Sequence, residues 1–258
     1  MQTLDTMEKR EVWADAIAYS ELIKCCLAHR AVREGKRVHQ HIFSNGYQPK
    51  TFLINTLLNM YVKFNLLEEA QILFDKMPER NVVSWTTMVS AYSYAKLNDR
   101  AMKFLIFMLR DGVMPNMYTF SSVLRACERL CDLKQVHSSI LKVGLESDVF
   151  VRSALIDAYS KLGELLEALG VFREMVTGDA VVWNSIIAAY AQHSDGDEAL
   201  ELYKSMRRAG FPADQSTLTS VLRACTETLF DIIIFKMGSA LVVTIGSSGA
   251  QDRVYDNH

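Results

Sequence analysis

The chain has 258 residues, of which 50% are hydrophobic, and a formal net charge of −2. This balance excludes the strongly basic surface on which sequence-independent binding of nucleic acid depends, so any such binding must be local. Only four Pro and twelve Gly interrupt long stretches rich in Ala, Leu, Glu, Lys and Met, and these residues favour helix over sheet. We therefore expect an all-α protein.

One long stretch of the chain recurs 98 positions later. Residues 69–92 read EAQILFDKMPERNVVSWTTMVSAY, and residues 167–190 read EALGVFREMVTGDAVVWNSIIAAY. The string SVLRAC at 122–127 recurs letter for letter at 220–225. Such self-similarity at a fixed period is the signature of a repeat protein.

The pattern divides the chain into helical hairpins. Each hairpin carries an apolar stripe that it cannot bury alone, so neighbours are expected to stack into a solenoid with a continuous core. Residues 1–15 are expected to end a preceding repeat, and residues 215–228 to begin a truncated seventh. The six whole repeats are predicted at 16–50, 51–81, 82–116, 117–148, 149–179 and 180–214. Residues 229–258 match nothing upstream, and we expect a poorly ordered, aggregation-prone tail rather than a membrane segment.

Local signals predict several boundaries. Asn65 followed by Glu68 is typical of a capping box that opens a helix, and Pro78 should stop that helix, because proline disfavours helix at the residue before it. Gly46 is placed just past the end of another helix. The fourth repeat is three residues shorter than its counterparts, and we expect a shortened, irregular turn at 130–136.

Residues that recur with the repeat but carry reactive groups are interpreted as structural. The cysteines at equivalent repeat positions are predicted to be small buried core residues in a reducing compartment, without disulfides or metal: Cys26, Cys127 and Cys225. No carboxylate or cysteine cluster accompanies the paired histidines His39 and His137, so a structural role is favoured over a metal site. Trp85 and Trp183 are predicted core anchors.

Several strings resemble plant pentatricopeptide repeats: KRVHQHIFSNGYQPKTFLINTLLNMY, EEAQILFDKMPERNVVSW, GVMPNMYTFSSVLRAC and KQVHSSILKVGLESDVFVRSALIDAYSKLG. The repeat lengths of 35, 31, 35, 32, 31 and 35 resemble the PLS class, in which long (L), short (S) and standard (P) motifs alternate. The resemblance implies a right-handed superhelical solenoid in the order L, S, P, L, S, P. Residues 1–15 would then end a P-type repeat, and 215–228 would begin an L-type repeat.

The resemblance also implies a function, namely selection of cytidines for C-to-U RNA editing in the mitochondrion or, alternatively, the plastid. The implied partners are single-stranded organellar RNA and editing-complex proteins, without a membrane. The amino-terminal string MQTLDTMEKREVWAD has neither a signal-peptide apolar core nor the composition of a transit peptide. A targeting segment is therefore not expected within this chain.

By the resemblance, each repeat addresses one nucleotide through its fifth and last residues. The predicted base-reading pairs are Asn55 with Asn81 for C over U, Thr86 with Asn116 for adenine, Ser153 with Asp179 for guanine, and Asn184 with Asp214 for uracil. The L repeats offer the weaker pairs Ser20 with Lys50 and Ser121 with Asp148. The second residue of a repeat packs on the base face, which makes Phe52, Val83, Phe150 and Val181 the base-stacking candidates.

The chemistry of editing needs a zinc-bound water and the signature H-x-E followed by P-C-x-x-C. No histidine of the chain is followed by x-E, so we expect no enzyme activity and no cofactor, with a deaminase supplied in trans. Two alternatives stay open at this point. One is a helical-repeat scaffold that binds protein, and the other is a truncated isoform without independent function.

Overall fold

The computed structural model describes residues 6, 7, 9, 13–44, 49–174, 178–193 and 195–226. All regular secondary structure in these ranges is helical, which confirms the predicted all-α class. Gly46, most of residues 1–15 and the tail at 229–258 lie outside the described residues.

The chain forms two compact units, Met1–Leu145 and Glu146–His258. The first unit contains α1 (Ala16–Ala28), α2 (Val32–Phe43), α3 (Thr51–Lys63), α4 (Leu67–Asp75), α5 (Val82–Tyr94), α6 (Asn98–Arg110), α7 (Met117–Arg125) and α8 (Leu130–Val143). The second contains α9 (Val149–Lys161), α10 (Leu165–Arg173), α11 (Ala180–Gln192) and α12 (Gly196–Arg208), and residues 215–226 are also helical.

Each odd-numbered helix packs against the helix that follows it and so forms a hairpin. In the first unit the odd-numbered helices also pack side by side, in the order α1, α3, α5, α7. In the second unit α9 packs on α11 in the same way. Each hairpin therefore closes the apolar stripe of its neighbour, as expected for stacked repeats. The assignment of hairpins to L, S and P classes stays a prediction.

An aromatic cluster fills the core where α4, α5 and α6 meet. The Phe74 ring lies 4.8 Å from Trp85 and 5.5 Å from Phe104, and the guanidinium of Arg80 lies 4.9 Å from the Phe74 centroid. Tilted and edge-to-face aromatic pairs and a stacked guanidinium stabilise such a core beyond the area that they bury. Trp85 is only 3% exposed, which confirms it as a core anchor. Trp183 is half-buried.

The capping box predicted at Asn65 is wrong. The helix α4 begins at Leu67, its N-cap is Leu66, and no side chain caps it. Asn65 instead has a positive φ of 58° in the turn that leaves α3. Asparagine tolerates this left-handed conformation better than most residues, and this tolerance explains the side chain at that position.

The irregular turn predicted at 130–136 is also wrong, because these residues lie inside α8. The missing length falls on the first helix of the repeat: α7 has 9 residues, whereas the corresponding helix α5 has 13. The short α7 leaves residues 126–129 to connect it to α8.

The predicted burial is confirmed for Cys26 and Cys127, which are 5% and 9% exposed, and is wrong for Cys225, which is half-buried. Burial, reinforced by the carboxylate of Asp132, raises the pKa of Cys127 to about 12. Both effects disfavour the thiolate, so Cys127 behaves as an inert core residue.

In the described part of the chain, no helix is both long and apolar enough to cross a bilayer.

Candidate nucleic-acid interface

The last residue of a predicted repeat often caps the first helix of the next one. In each case a side-chain oxygen accepts a hydrogen bond from a backbone N–H in the first turn, as N-cap residues do. Asp15, Asn81, Asn116, Asp148 and Asp179 make these caps for α1, α5, α7, α9 and α11. Capping fixes the position of each of these side chains at the first turn of its helix.

The pair Asn184 and Asp214 is brought together directly. Asn184 Nδ2 donates to Asp214 Oδ2 across 2.9 Å, and Asp214 Oδ1 accepts from the backbone N–H of Thr217 across 2.8 Å. Thr217 Oγ1 lies 2.6 Å from Asn184 Oδ1. The two predicted reading residues therefore share one hydrogen-bond network with a third side chain.

Hydrogen bonds also set the charge state of this network. The backbone N–H and then the hydroxyl of Thr217 lower the pKa of Asp214 below its usual value, and the amide of Asn184 adds to the effect. Each of these donors stabilises the carboxylate relative to the acid. Asp214 is thus ionised, and it acts as an acceptor only.

The pair Asn55 and Asn81 also makes a direct contact, with Asn55 Nδ2 donating to Asn81 Oδ1 across 3.2 Å. The same Asn81 oxygen accepts the backbone N–H groups of Val83 and Ser84, each at 3.1 Å. Asn55 Oδ1 is buried and has no hydrogen-bond partner among the described residues. The amide nitrogen of Asn55 therefore already has a hydrogen-bond partner, whereas its amide oxygen has none among the described residues.

The pair Thr86 and Asn116 is joined through Thr119. The Thr86 and Thr119 hydroxyls lie 2.6 Å apart, and Thr119 Oγ1 donates to Asn116 Oδ1 across 3.0 Å. Ser153 and Asp179 differ. Ser153 contacts the hydroxyl of Ser185 at 2.6 Å, whereas Asp179 caps α11.

The L-repeat positions are less available. Ser20 is buried, at 3% exposed. Lys50 is exposed, and its side chain makes no capping hydrogen bond to the helix that it precedes. Ser121 is half-buried, and Asp148 caps α9 by accepting the Val151 N–H across 3.0 Å. Of these four side chains, Ser20 is the one that solvent does not reach.

Large apolar side chains are exposed at the second position of each repeat. The four predicted stacking residues range from 47% exposed for Val181 to 63% for Phe150, with Phe52 and Val83 between them. The sequence analysis missed Ile17 and Tyr118, which hold the same position in the L repeats and are also exposed. The repeat register alone could have found both. Exposed apolar and aromatic side chains at this position offer platforms for unpaired bases.

One cavity of the first unit gathers these elements. Its volume is about 680 Å³, and its wall includes the reading pair Thr86 and Asn116, the stacking candidate Val83 and the exposed ring of Tyr118. Lys63 is the one charged side chain in the wall given by the described residues. The wall therefore combines polar side chains with apolar and aromatic ones.

These features define a class of protein: a helical-hairpin repeat protein with polar residues at the fifth and last positions of each repeat and an exposed apolar side chain at the second. Two protein-family models match the chain and identify its family. The model of the PPR repeat family matches residues 80–129 and 178–227, and the PPR repeat model matches 53–82 and 150–178. The chain belongs to the pentatricopeptide repeat (PPR) family.

Relatives in Arabidopsis thaliana support this assignment. A mitochondrial pentatricopeptide repeat-containing protein is 60% identical over 88% of this chain, and a chloroplastic one is 34% identical over 86%. The chain spans about a third of the length of these relatives, 36% and 35% respectively. Crystal structures of maize PPR10, alone and with an 18-nucleotide psaJ RNA element, share the fold. Their TM-scores are 0.69 and 0.67, at 23% and 21% identity, over 86% and 92% of this chain and 33% and 35% of theirs.

Proposed function

We propose that this chain binds single-stranded RNA sequence-specifically, one nucleotide per repeat, with the fifth and last residues of a repeat as the reading pair. The observation that carries the proposal is the 680 Å³ cavity, in which Thr86 and Asn116 lie beside Val83 and Tyr118. Polar edges and apolar faces are the two features by which a protein recognises an unstacked base.

The hydrogen-bond contacts support the same proposal. Two of the four principal pairs are hydrogen-bonded directly, although their members lie 26 and 30 residues apart in the sequence. A third pair is joined through one hydroxyl, by a contact between residues that are 33 positions apart. A cap that served the helix alone would need no partner in the preceding repeat. In chain order the pairs Asn55–Asn81, Thr86–Asn116, Ser153–Asp179 and Asn184–Asp214 read C, A, G and U, with one unspecified base between A and G.

A direct binding measurement tests the proposal. The full chain is titrated with an RNA that carries C-A-x-G-U and with the same RNA after its A and G are exchanged. Two wrong bases should weaken binding by about 2–6 kcal/mol, because each mismatch costs about 1–3 kcal/mol. Equal binding of both RNAs, or binding of neither, would contradict sequence-specific recognition by this chain.

We further propose that the RNA is organellar and that the chain selects cytidines for C-to-U editing, with the deaminase supplied in trans. The alternation of repeat lengths supports editing, and the mitochondrial name of the relative at 60% identity supports mitochondrial rather than plastid RNA. Sequencing organellar transcripts from plant material that lacks the protein tests this. A mitochondrial cytidine that stays unedited beside a matching footprint is expected, and complete editing at all sites would contradict the proposal.

A second candidate function, a protein-binding scaffold, is favoured by the outer face of α6. Ile106 and Phe107 are exposed there, at 43% and 44%. At the corresponding positions 98 residues later the chain has Lys204 and Ser205, and Lys204 forms an ion pair with Glu201 at 2.6 Å. The apolar face is therefore not repeated in the sixth repeat, and binding of neither test RNA would make the scaffold the better account.

A further inference from the structure

We propose that the third residue of the following repeat is an additional specificity-determining residue, because its hydroxyl decides whether the reading residue offers a base a hydrogen-bond donor or an acceptor. This inference rests on the proposed RNA binding. It concerns Thr217 for the reading residue Asn184 and Thr119 for the reading residue Thr86. Both threonines are fully buried, and both are the third residue of a first helix.

At Asn184 the polarity follows from the protons available. The backbone N–H of Asp214 donates to Thr217 Oγ1 across 3.1 Å. The one hydroxyl proton of Thr217 is shared between Asn184 Oδ1 at 2.6 Å and Asp214 Oδ1 at 2.9 Å, and the nearer oxygen is the better-placed acceptor. Asp214 accepts from Asn184 Nδ2. The amide oxygen of Asn184 thus already accepts a hydrogen bond, and one Nδ2 hydrogen is donated to Asp214. Asn184 therefore presents its second Nδ2 hydrogen to a base.

A donor at this point distinguishes the two pyrimidines. Uracil has a carbonyl oxygen where cytosine has an amino group, so a donor favours uracil and opposes cytosine. At Asn55 the equivalent third residue is Ser84, whose hydroxyl donates to the backbone carbonyl of Asn81 instead. Among the described residues Asn55 Oδ1 therefore has no donor, and a hydrogen bond from a cytosine amino group would satisfy this costly unpaired acceptor.

At Thr86 the same reasoning gives the opposite polarity. Either hydroxyl can donate in the 2.6 Å contact between Thr86 and Thr119, and we take Thr86 as the donor because Thr119 Oγ1 donates its one proton to Asn116 Oδ1 across 3.0 Å. The Thr86 oxygen then faces a base as an acceptor only. Adenine presents an amino group at the position where guanine presents a carbonyl oxygen, so an acceptor favours adenine.

Two substitutions test the inference, and each serves as the control for the other. Thr217→Val should lower the preference for U over C at the sixth repeat by about fivefold or more, the discrimination of one base contact. It should leave the A-over-G preference at the third repeat unchanged. Thr119→Val should do the reverse. The conservative variants Thr217→Ser and Thr119→Ser keep the hydroxyl and should keep the wild-type preferences.

Thr219→Val is the matched structural control, because Thr219 lies two residues from Thr217 and bonds the Gln215 carbonyl rather than a reading residue. It should change neither preference. If a valine variant does not fold, Thr217→Ala and Thr119→Ala remove the same hydroxyls without adding bulk. A folded hydroxyl-free variant that keeps the wild-type preference at its own repeat would overturn the inference. Wild-type protein that binds RNA without any preference would refute the proposed reading pairs instead.

Discussion

Asn184 and Asp214 lie 30 residues apart near the two ends of one predicted repeat, and their side chains form a hydrogen bond of 2.9 Å between Nδ2 and Oδ2. One residue lies in the first helix of a hairpin, and the other caps the helix of the next hairpin. A base that contacts either side chain is therefore sensitive to both. This coupling makes base preference a property of the pair rather than of one residue.

The substitution Asp214→Asn should shift the preference of this repeat from uracil toward cytosine. It converts the pair into the Asn–Asn combination found at Asn55 and Asn81, which replaces an acceptor-only carboxylate by an amide that also donates. The expected change is about 1–3 kcal/mol in relative affinity, the usual effect of one base. Titration with two RNAs that differ only at this base measures it, and an unchanged uracil preference would count against pairwise reading.

Phe150→Ala should weaken RNA binding without weakening the fold. The ring is 63% exposed, so its removal leaves no cavity, whereas loss of base stacking costs about 1–3 kcal/mol of binding free energy. The matched control is Leu166→Ala, which removes an exposed apolar side chain from the second helix of the same hairpin. Equal affinities of the two variants would show that Phe150 is not a stacking platform.

Phe74→Ala should destabilise the first compact unit by about 3–5 kcal/mol, because a buried aromatic residue leaves a cavity that its neighbours fill only in part. Phe74 is 2% exposed and contacts Trp85, Phe104 and Arg80. Ile72→Ala is the control on the same helix, since Ile72 is 54% exposed. Urea unfolding measures both, and a similar loss in the two variants would show that the aromatic cluster does not dominate this core.

The sequence predicted the helical hairpins because they follow the repeat register, and the same register gives the positions of the proposed reading pairs. The residues that it did not predict depend on contacts between repeats. Thr119 and Thr217 recur 98 positions apart, and this recurrence was the available signal, but their hydrogen bonds to a preceding repeat become visible only when the helices are packed. The position of the shortening within the fourth repeat was predicted wrongly, because a difference in length does not reveal which helix shortens.

Acid should destabilise the first unit through His39. Burial, and then the charge of Lys76, lower the pKa of His39 below 6.5, and its Nδ1 is 2.5 Å from the Tyr61 hydroxyl. Near pH 6.5 His39 takes up a proton in the unfolded chain but stays neutral in the folded chain. The free energy of unfolding should therefore fall as the pH drops from about 6.5 through the lower pKa of the folded state. His39→Gln should flatten this dependence between pH 7.5 and 5.5 in thermal unfolding. His29→Gln, at an exposed position, should leave it as steep as in the wild type.

The most direct test of the central claim exchanges the last residues of two reading pairs. Asn116→Asp and Asp179→Asn, made together, should invert the preference between the RNA with C-A-x-G-U and the RNA with its A and G exchanged. Each variant keeps an oxygen that can cap its helix, so the folds should be retained. Tighter binding of the exchanged RNA by the double variant is the result that the account predicts. A folded double variant that keeps the wild-type preference would contradict it.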